Sequence, residues 1–287
     1  MSVAVLPSES RAGDADAAAA LAGVRARGGI SIAFKTSAQQ TRLADLHEWG
    51  GYRAKLPRTP GLTEAVLINT GGGLLGGDAV RFEVAVGAHA EAQITTQSAE
   101  RVYRSLGPQC RIDVVLTVEA GARLHWLPQE TILFNEARLS RSITASIAAD
   151  ATLLMVEAVV FGRAARGETV AAGALRDVWR ISRGGSLVYA ESIALDGAID
   201  AQLGRAAVGA GAATMATVLY IAPDAADRVA GARAALERKR ARAAVSAWNG
   251  MLVGRLLAPS ADALKADVAL LAAHLSGHAL PRVWGIL

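Results

Sequence analysis

The sequence predicts a mainly β protein with a layered, β-solenoid/β-helix-like body and two α-helices at its C-terminal end. Three observations carry that reading. From Ile30 to about Ile221 the chain is a succession of short runs rich in Val, Ile, Leu and Thr, separated by Gly-Ala or Asp-Ala pairs, which read as strands and tight turns. The turns recur with a similar shape at Gly87-Ala88, Gly121-Ala122, Asp150-Ala151 and Gly185-Ser186, so the small residues at 88, 122, 151 and 186 are 34, 29 and 35 residues apart. A loose period of this length suits stacked strand-turn-strand layers. An ordinary antiparallel sandwich also meets turns at short intervals and stays open as the alternative. Finally, no segment between residues 60 and 200 holds a 3.6-residue apolar period long enough for a core helix.

Taken in order, residues 1–27 read as a flexible Ala-rich leader, residues 28–222 as the β body, and residues 223–287 as a helical segment packed on that body in a single folded unit. The leader carries Glu9, Arg11, Asp14 and Asp16, so it has neither a basic start nor an unbroken apolar core of the kind that marks an export signal. The pattern changes after Pro223. Val229, Leu236, Val245, Trp248, Leu252 and Leu256 fall largely on one helical face, and Pro259-Ser260 closes that helix and caps the next. In the second helix Leu264, Val268, Leu271 and Leu275 repeat at steps of 4, 3 and 4, and Gly277 supplies a natural stop.

Composition narrows the function classes. Of 287 residues, 52% are hydrophobic and 20% charged, ample material for a packed core. The pI near 9.6 reflects arginine usage, and a net charge of +4 is too weak a field to point to nucleic acid. The one basic run, Arg238 to Arg242, reads as a solvated helix face. A single cysteine, Cys110, excludes an intramolecular disulfide and a cysteine-cluster metal site, in keeping with a reducing cytosol. The most apolar window, Ile143 to Phe161, is broken by Asp150 and Glu157, so no membrane span is expected.

The candidate chemistry centres on Ala65 to Asp78, an apolar strand running into the loop Thr70-Gly-Gly-Gly-Leu-Leu-Gly-Gly-Asp78. Gly71, Gly73 and Gly76 formally make the glycine pattern of a dinucleotide-binding oxidoreductase, the alternative reading of this chain. That pattern needs a helix next, to hold the pyrophosphate, whereas Ala79 to Val86 alternates like a strand. No Gly-x-Ser-x-Gly nucleophile motif occurs. His274 and His278 have the spacing of a metal pair on one helix face, but Gly277 stands between them and argues for surface histidines. Carboxylates in otherwise apolar strands, namely Glu130, Glu157 and Glu168, together with Asp78 and Glu100, are either hard-oxygen cation ligands or partners of Arg104, Arg163 or Arg166.

The glycine stretch resembles the Asn-Pro-Pro-Gly-Gly-x-x-Gly-Gly-Asp hallmark of the UreD (UreH) family of urease accessory proteins, and the likeness continues down the chain. Thr95 to Ser105, Leu127 to Phe134, Phe161 to Glu168 and Leu280 to Trp284 are similar, in order, to four further segments of that family. Thr70-Gly71 replaces the Pro-Pro of the hallmark, which frees two φ angles, and Arg101 stands where lysine is common. The resemblance implies a cytoplasmic, non-enzymatic scaffold that binds apo-urease and the accessory protein UreF, and through UreF the GTPase UreG. A homodimer within the accessory complex is a further implication. Nickel would be cargo in transit through an internal passage, with no tightly bound cofactor. In that picture Asp78, Glu130 and Glu168 are transient nickel ligands, while Gly72, Gly73, Gly76, Gly77, Ser98, Glu100, Tyr103 and Arg104 shape the loop and passage. A purely structural or adhesive β-solenoid is a third reading.

Overall fold

The computed structural model describes residues 25–105, 107–237 and 239–285. The Ala-rich leader expected at the N-terminus therefore lies, through residue 24, outside the described residues, as does Arg238 of the basic run. The chain steps back and forth between two sheets. It lays down β1 (Arg27–Ser37) and its antiparallel neighbour β2 (Gln40–Trp49) in sheet A, then β3 (Tyr52–Lys55) and β4 (Thr63–Asn69) in sheet B. From there the strands alternate. β5 (Ala79–Val86) is in A and β6 (Glu91–Thr96) in B, and a short β7 (Glu100–Val102) follows. β8 (Cys110–Val118) is in A and β9 (Arg123–Leu127) in B, followed by a short β10 (Thr131–Leu133). β11 (Arg138–Ile147) is in A, β12 (Thr152–Phe161) in B and β13 (Gly173–Arg183) in A.

Within each sheet these successive strands are parallel. In sheet A, Val86 lies opposite Val118, Val118 opposite Ile147 and Ile147 opposite Arg183, steps of 32, 29 and 36 residues. The layered reading therefore holds, with a coil of roughly the expected length. Its small-residue marker needs one correction. The alanines that stack are Ala90, Ala122 and Ala151, all fully buried, with Arg123 N donating to Ala90 O and Thr152 N to Ala122 O at 2.9 Å. Ala88 is exposed because it stands two places before the stacked alanine of its four-residue turn, level with the exposed Ala120 and Ala149 of the next two turns. Ser186 opens β14 (Ser186–Gly197), which returns antiparallel on β13 and ends the coil pattern.

A short α1 (Ile199–Gly204) leads to β15 (Thr214–Ile221), antiparallel to β12. After α2 (Val229–Ala235), residues 242–258 form the hairpin β16 (Arg242–Trp248) and β17 (Met251–Ala258) on β15. This corrects the first of the two expected C-terminal helices. Only Val229–Ala235 of that stretch is an α-helix. Asn249 and Gly250, both at positive φ, make the tight turn of a hairpin. β17 buries Met251 and Val253 between the sheets and Leu252 and Leu256 on the other face, and a strand covered on both faces mimics a helical apolar period.

The second helix is as expected. In α3 (Ala261–Ser276) the Ser260 hydroxyl accepts from Ala263 N at 3.3 Å, and Gly277 at φ 65° ends it. Leu264, Val268, Leu271 and Leu275 pack on the outer face of sheet B, where Leu271 rests against the bare backbone of Gly254. The body is thus three layers: sheet A, sheet B and the helices, with one apolar cluster between each pair of neighbours. Since Ala122 sits in a fully closed stack, Ala122→Leu should cost about 1–3 kcal/mol in urea unfolding, whereas Ala88→Leu on the exposed turn should stay within about 0.5 kcal/mol.

Candidate functional site

The glycine loop is built from backbone contacts that leave little room for side chains. Thr70 N donates to Gly51 O at 2.8 Å, which ties the loop to the turn between β2 and β3, while Leu74 N donates to Arg101 O at 2.7 Å and Tyr103 N to Leu74 O at 2.9 Å, which stitches it to the segment carrying β7. The Tyr103 hydroxyl donates to Gly72 O at 2.9 Å. A Cβ at Gly73, which has φ 151°, would stand 2.5 Å from the Tyr103 ring, and one at Gly76 would stand 1.9 Å from the Ser105 hydroxyl. Asp78 is buried and ties the loop off: Oδ1 accepts from Ala26 N at 2.9 Å and Oδ2 from Leu75 N at 2.8 Å. Strand β5 follows at once, so no helix N-terminus faces Gly71, Gly73 or Gly76, and a pyrophosphate would find no helical amides there.

Behind the loop the two sheets do not close. A hollow of about 80 Å³ is lined by Tyr52, Asn69, Glu100, Trp126, Arg141 and Glu157, with exposed Gly72 and Ser98 also on its wall. Both Glu100 oxygens take the Asn69 amide at 3.0 and 3.1 Å, and the Tyr52 hydroxyl lies 3.5 Å away. No basic group forms an ion pair with Glu100 among the described residues. Burial therefore pushes its carboxyl up to about 7, against the pull of the Asn69 hydrogen bond. Burial, helped by Asp78 and Glu100, also raises the Cys110 thiol to about 12, which keeps it protonated and unreactive.

At the inner end of this hollow stands a charge network. Arg141 on β11 and Asp177 on β13 are register partners on the inward face of sheet A. Arg141 Nε donates to Asp177 Oδ1 at 3.1 Å, Nη2 donates to Asp177 Oδ2, and Nη1 donates to Glu157 on β12 of the facing sheet. The indole of Trp126 donates to Glu157 Oε1 at 2.8 Å and that of Trp179 to Asp177 Oδ1 at 2.9 Å. Burial pushes the Glu157 carboxyl upward while Arg141 pulls it back. Beyond the network lies a second hollow of about 330 Å³, walled mainly by Trp179, Ile193, Leu203, Met215 and Leu257. Arg141 and Glu157 belong to the walls of both. The second hollow in turn shares Ile193 and Arg255 with an open third one of about 660 Å³, between the edge strands β14 and β16. There Arg255 pairs with Glu191 and donates to Thr217 at 3.1 Å and to the Tyr189 hydroxyl at 3.1 Å.

Gly72, Ser98 and Glu100 thus line the first hollow, while Gly73, Gly76, Gly77, Asp78 and Tyr103 hold the loop beside it. The remaining expected site residues lie elsewhere. Arg104 pairs with Glu136. Glu168 pairs with Arg163 and accepts from Asn135 N at 3.2 Å, and the arginine holds its carboxyl below the usual range. Glu130 borders a separate hollow of about 20 Å³ under α3, with Leu264, Lys265 and Trp284. No group of three or more His, Cys, Asp or Glu among the described residues is arranged to hold a metal ion. Arg141 and Asp177 were not singled out from the sequence, although the pattern Leu139, Arg141, Ile143, Ala145, Ile147 puts a charge in an inward apolar row.

The family described as UreD urease accessory protein matches residues 26–285. The urease accessory protein UreD of Azorhizobium caulinodans is 44% identical to this chain over 263 residues, 91% of this chain and 97% of the relative. UreD of a Methylobacterium species is 48% identical over 250 residues, 85% and 89% of the two chains. UreD of Rhodopseudomonas palustris is 43% identical over 282 residues, 98% and 99% of the two.

Glu100 makes stability depend on pH. The native state holds its proton up to about pH 7 and the unfolded chain releases it near 4.5, so between these values the native state binds more protons. Stability from this group therefore falls as pH rises through that window. Glu100→Gln should raise stability more at about pH 8 than at about pH 5, by a difference on the order of 3 kcal/mol in urea unfolding.

Proposed function

Because the chain belongs to the UreD family of urease accessory proteins, we propose that it matures urease as a non-enzymatic scaffold in the cytoplasm, binding apo-urease and UreF, and reaching UreG through UreF. Nickel is its cargo, passed to the urease active site through the interior of the β body. The single observation that supports a passage is the row of three hollows between the sheets, each sharing wall residues with the next. Hard carboxylate oxygens hold a divalent ion of this class weakly, which suits transfer better than storage. Glu100 and Glu157 stand on the walls of the row. Asp78 acts by fixing the loop beside it, and Glu130 and Glu168, outside the row, are candidate ligands at the surface where a partner seats.

Within the described residues no helix is long and apolar enough to cross a membrane. The test is the nickel content and urea hydrolysis of urease produced with its other accessory proteins, with and without this chain. Both should fall steeply without it, and equal nickel in the two preparations would overturn the proposal. Asp78→Ala, which leaves the Ala26 and Leu75 amides unpaired, should lower nickel loading several-fold while the accessory complex still assembles.

A further inference from the structure

At the β14–β16 end of the body, sheet B reaches one strand further than sheet A. Arg141 of β11 pairs with Glu157 of β12, and Arg255 of β17 with Glu191 of β14, so β11 lies over β12 and β14 over β17. Sheet A stops at β14, whereas sheet B adds β16 beyond β17. The inward face of β16 therefore has no strand above it. Ala244, Ser246 and Trp248, the register partners of Arg255, Val253 and Met251, point between the sheets and are nevertheless exposed, Trp248 by 44%. The open third hollow of about 660 Å³ is this space, with β14 along one side and Ile193, Val253 and Trp248 as its apolar surface.

The strand beside the space is unguarded. Exposed sheet edges are usually blunted by charges, bulges, shortness or a cover. β2 carries Arg42, Asp45 and Glu48 and a register shift opposite Ala33 and Phe34. β3 is short, and its Ala54 N donates to Glu48. β16 has its Val245 O taken by the Arg233 guanidinium of α2 at 3.0 Å. β14 has none of these past its irregularity opposite Ser182: from Tyr189 to Leu195 its one charge is Glu191, which turns inward to Arg255. Among the described residues no side chain bonds to the backbone of that stretch, and the nearest such contact is Gln202 on Asp196 O. A second copy of the chain cannot use this edge by antiparallel pairing. Its β14 would arrive with its own β17 beneath, in the space that β16 already fills. Only a lone strand fits.

We infer that the space beside β14 is a strand-addition site for an extended segment of another protein. Main-chain hydrogen bonds to Tyr189–Leu195 hold the segment, and alternate side chains give the specificity. Those facing inward are apolar, over Ile193 and Trp248. Those facing outward are acidic. Ala190 and Ala194 are too small to screen their row partners on β13, Arg180 and Arg176, which are exposed and outside any ion pair among the described residues. The inference stands on the sheet edges and does not depend on nickel transfer.

The experiment is fluorescence anisotropy of a labelled peptide of alternating valine and glutamate, titrated with the full chain, beside a peptide of the same composition with its valines and glutamates in separate blocks. The alternating peptide should bind, and should slow hydrogen exchange of the amides of Tyr189–Leu195. Ser246→Arg places a long side chain in the space from an exposed position, so the thermal midpoint should be kept while the affinity falls by roughly tenfold or more. Failure of the alternating peptide to bind, equal binding of the block peptide, or unaltered affinity with Ser246→Arg would overturn the site. A dimer of this chain that Ser246→Arg dissolves would give the space to a second copy and overturn it as well.

Discussion

Two apolar sheet faces would ordinarily close on each other, and these two cannot, because β11 turns a guanidinium inward at Arg141. A buried cation must be matched and hydrogen-bonded where it stands. The partners come from three strands: Asp177 from β13 beside it, Glu157 from β12 across the gap, and Thr131 from β10. The two tryptophan indoles that serve the carboxylates add bulk that keeps the sheets apart. Elsewhere the inward rows are filled by Ile30, Phe34, Val84, Leu116, Ile147 and their neighbours, and the layers meet. The first two hollows thus lie on either side of the ion triad Asp177–Arg141–Glu157, which crosses between the sheets.

The glycine loop is rigid for a related reason. Its glycines remove side chains where Tyr103 and Ser105 come close, and Asp78 collects two amides that would otherwise lie unpaired beside β5. A loop fixed in this way can form the edge of an opening without filling it. Tyr103 extends the arrangement sideways, with its ring edge-on to Phe134, on which the Arg163 guanidinium of the Glu168 pair is stacked. Glu168 is therefore mechanically connected to the loop while standing outside the hollow.

Much of the fold was legible because the coil imposes a nearly constant chain length per layer, and a repeated length survives in sequence as repeated turns. The second sheet's C-terminal strands were not legible. Leu252 and Leu256 face the helices while Met251 and Val253 face sheet A, so β17 carries apolar residues on both faces, with Arg255 its one charge, and its true period of two is masked. The Asn249-Gly250 turn was the available signal. At the site, glycine spacing marked the loop, and Glu100 and Glu157 stood out as carboxylates among apolar residues. What the sequence could not supply was pairing: Glu157 meets Arg141, 16 positions away, rather than Arg104, Arg163 or Arg166, because that contact depends on how two sheets face each other. Glu168 did find one of the expected partners, Arg163, since five residues of a turn suffice to bring them together.

The hollows follow one another across the strands, from the side of β4 and β5 to that of β14 and β16, so the coil works as a ruler. Its gradations are strand spacings of about 4.8 Å. The interior cannot be lengthened or shortened by a fraction of that unit without breaking hydrogen-bonded pairing on both sheets at once. A change of one unit requires a whole coil, such as the 29 residues between Val118 and Ile147. The separation between the two ends of the body is therefore quantised, and any surface that must meet both ends is bound to this chain's number of coils.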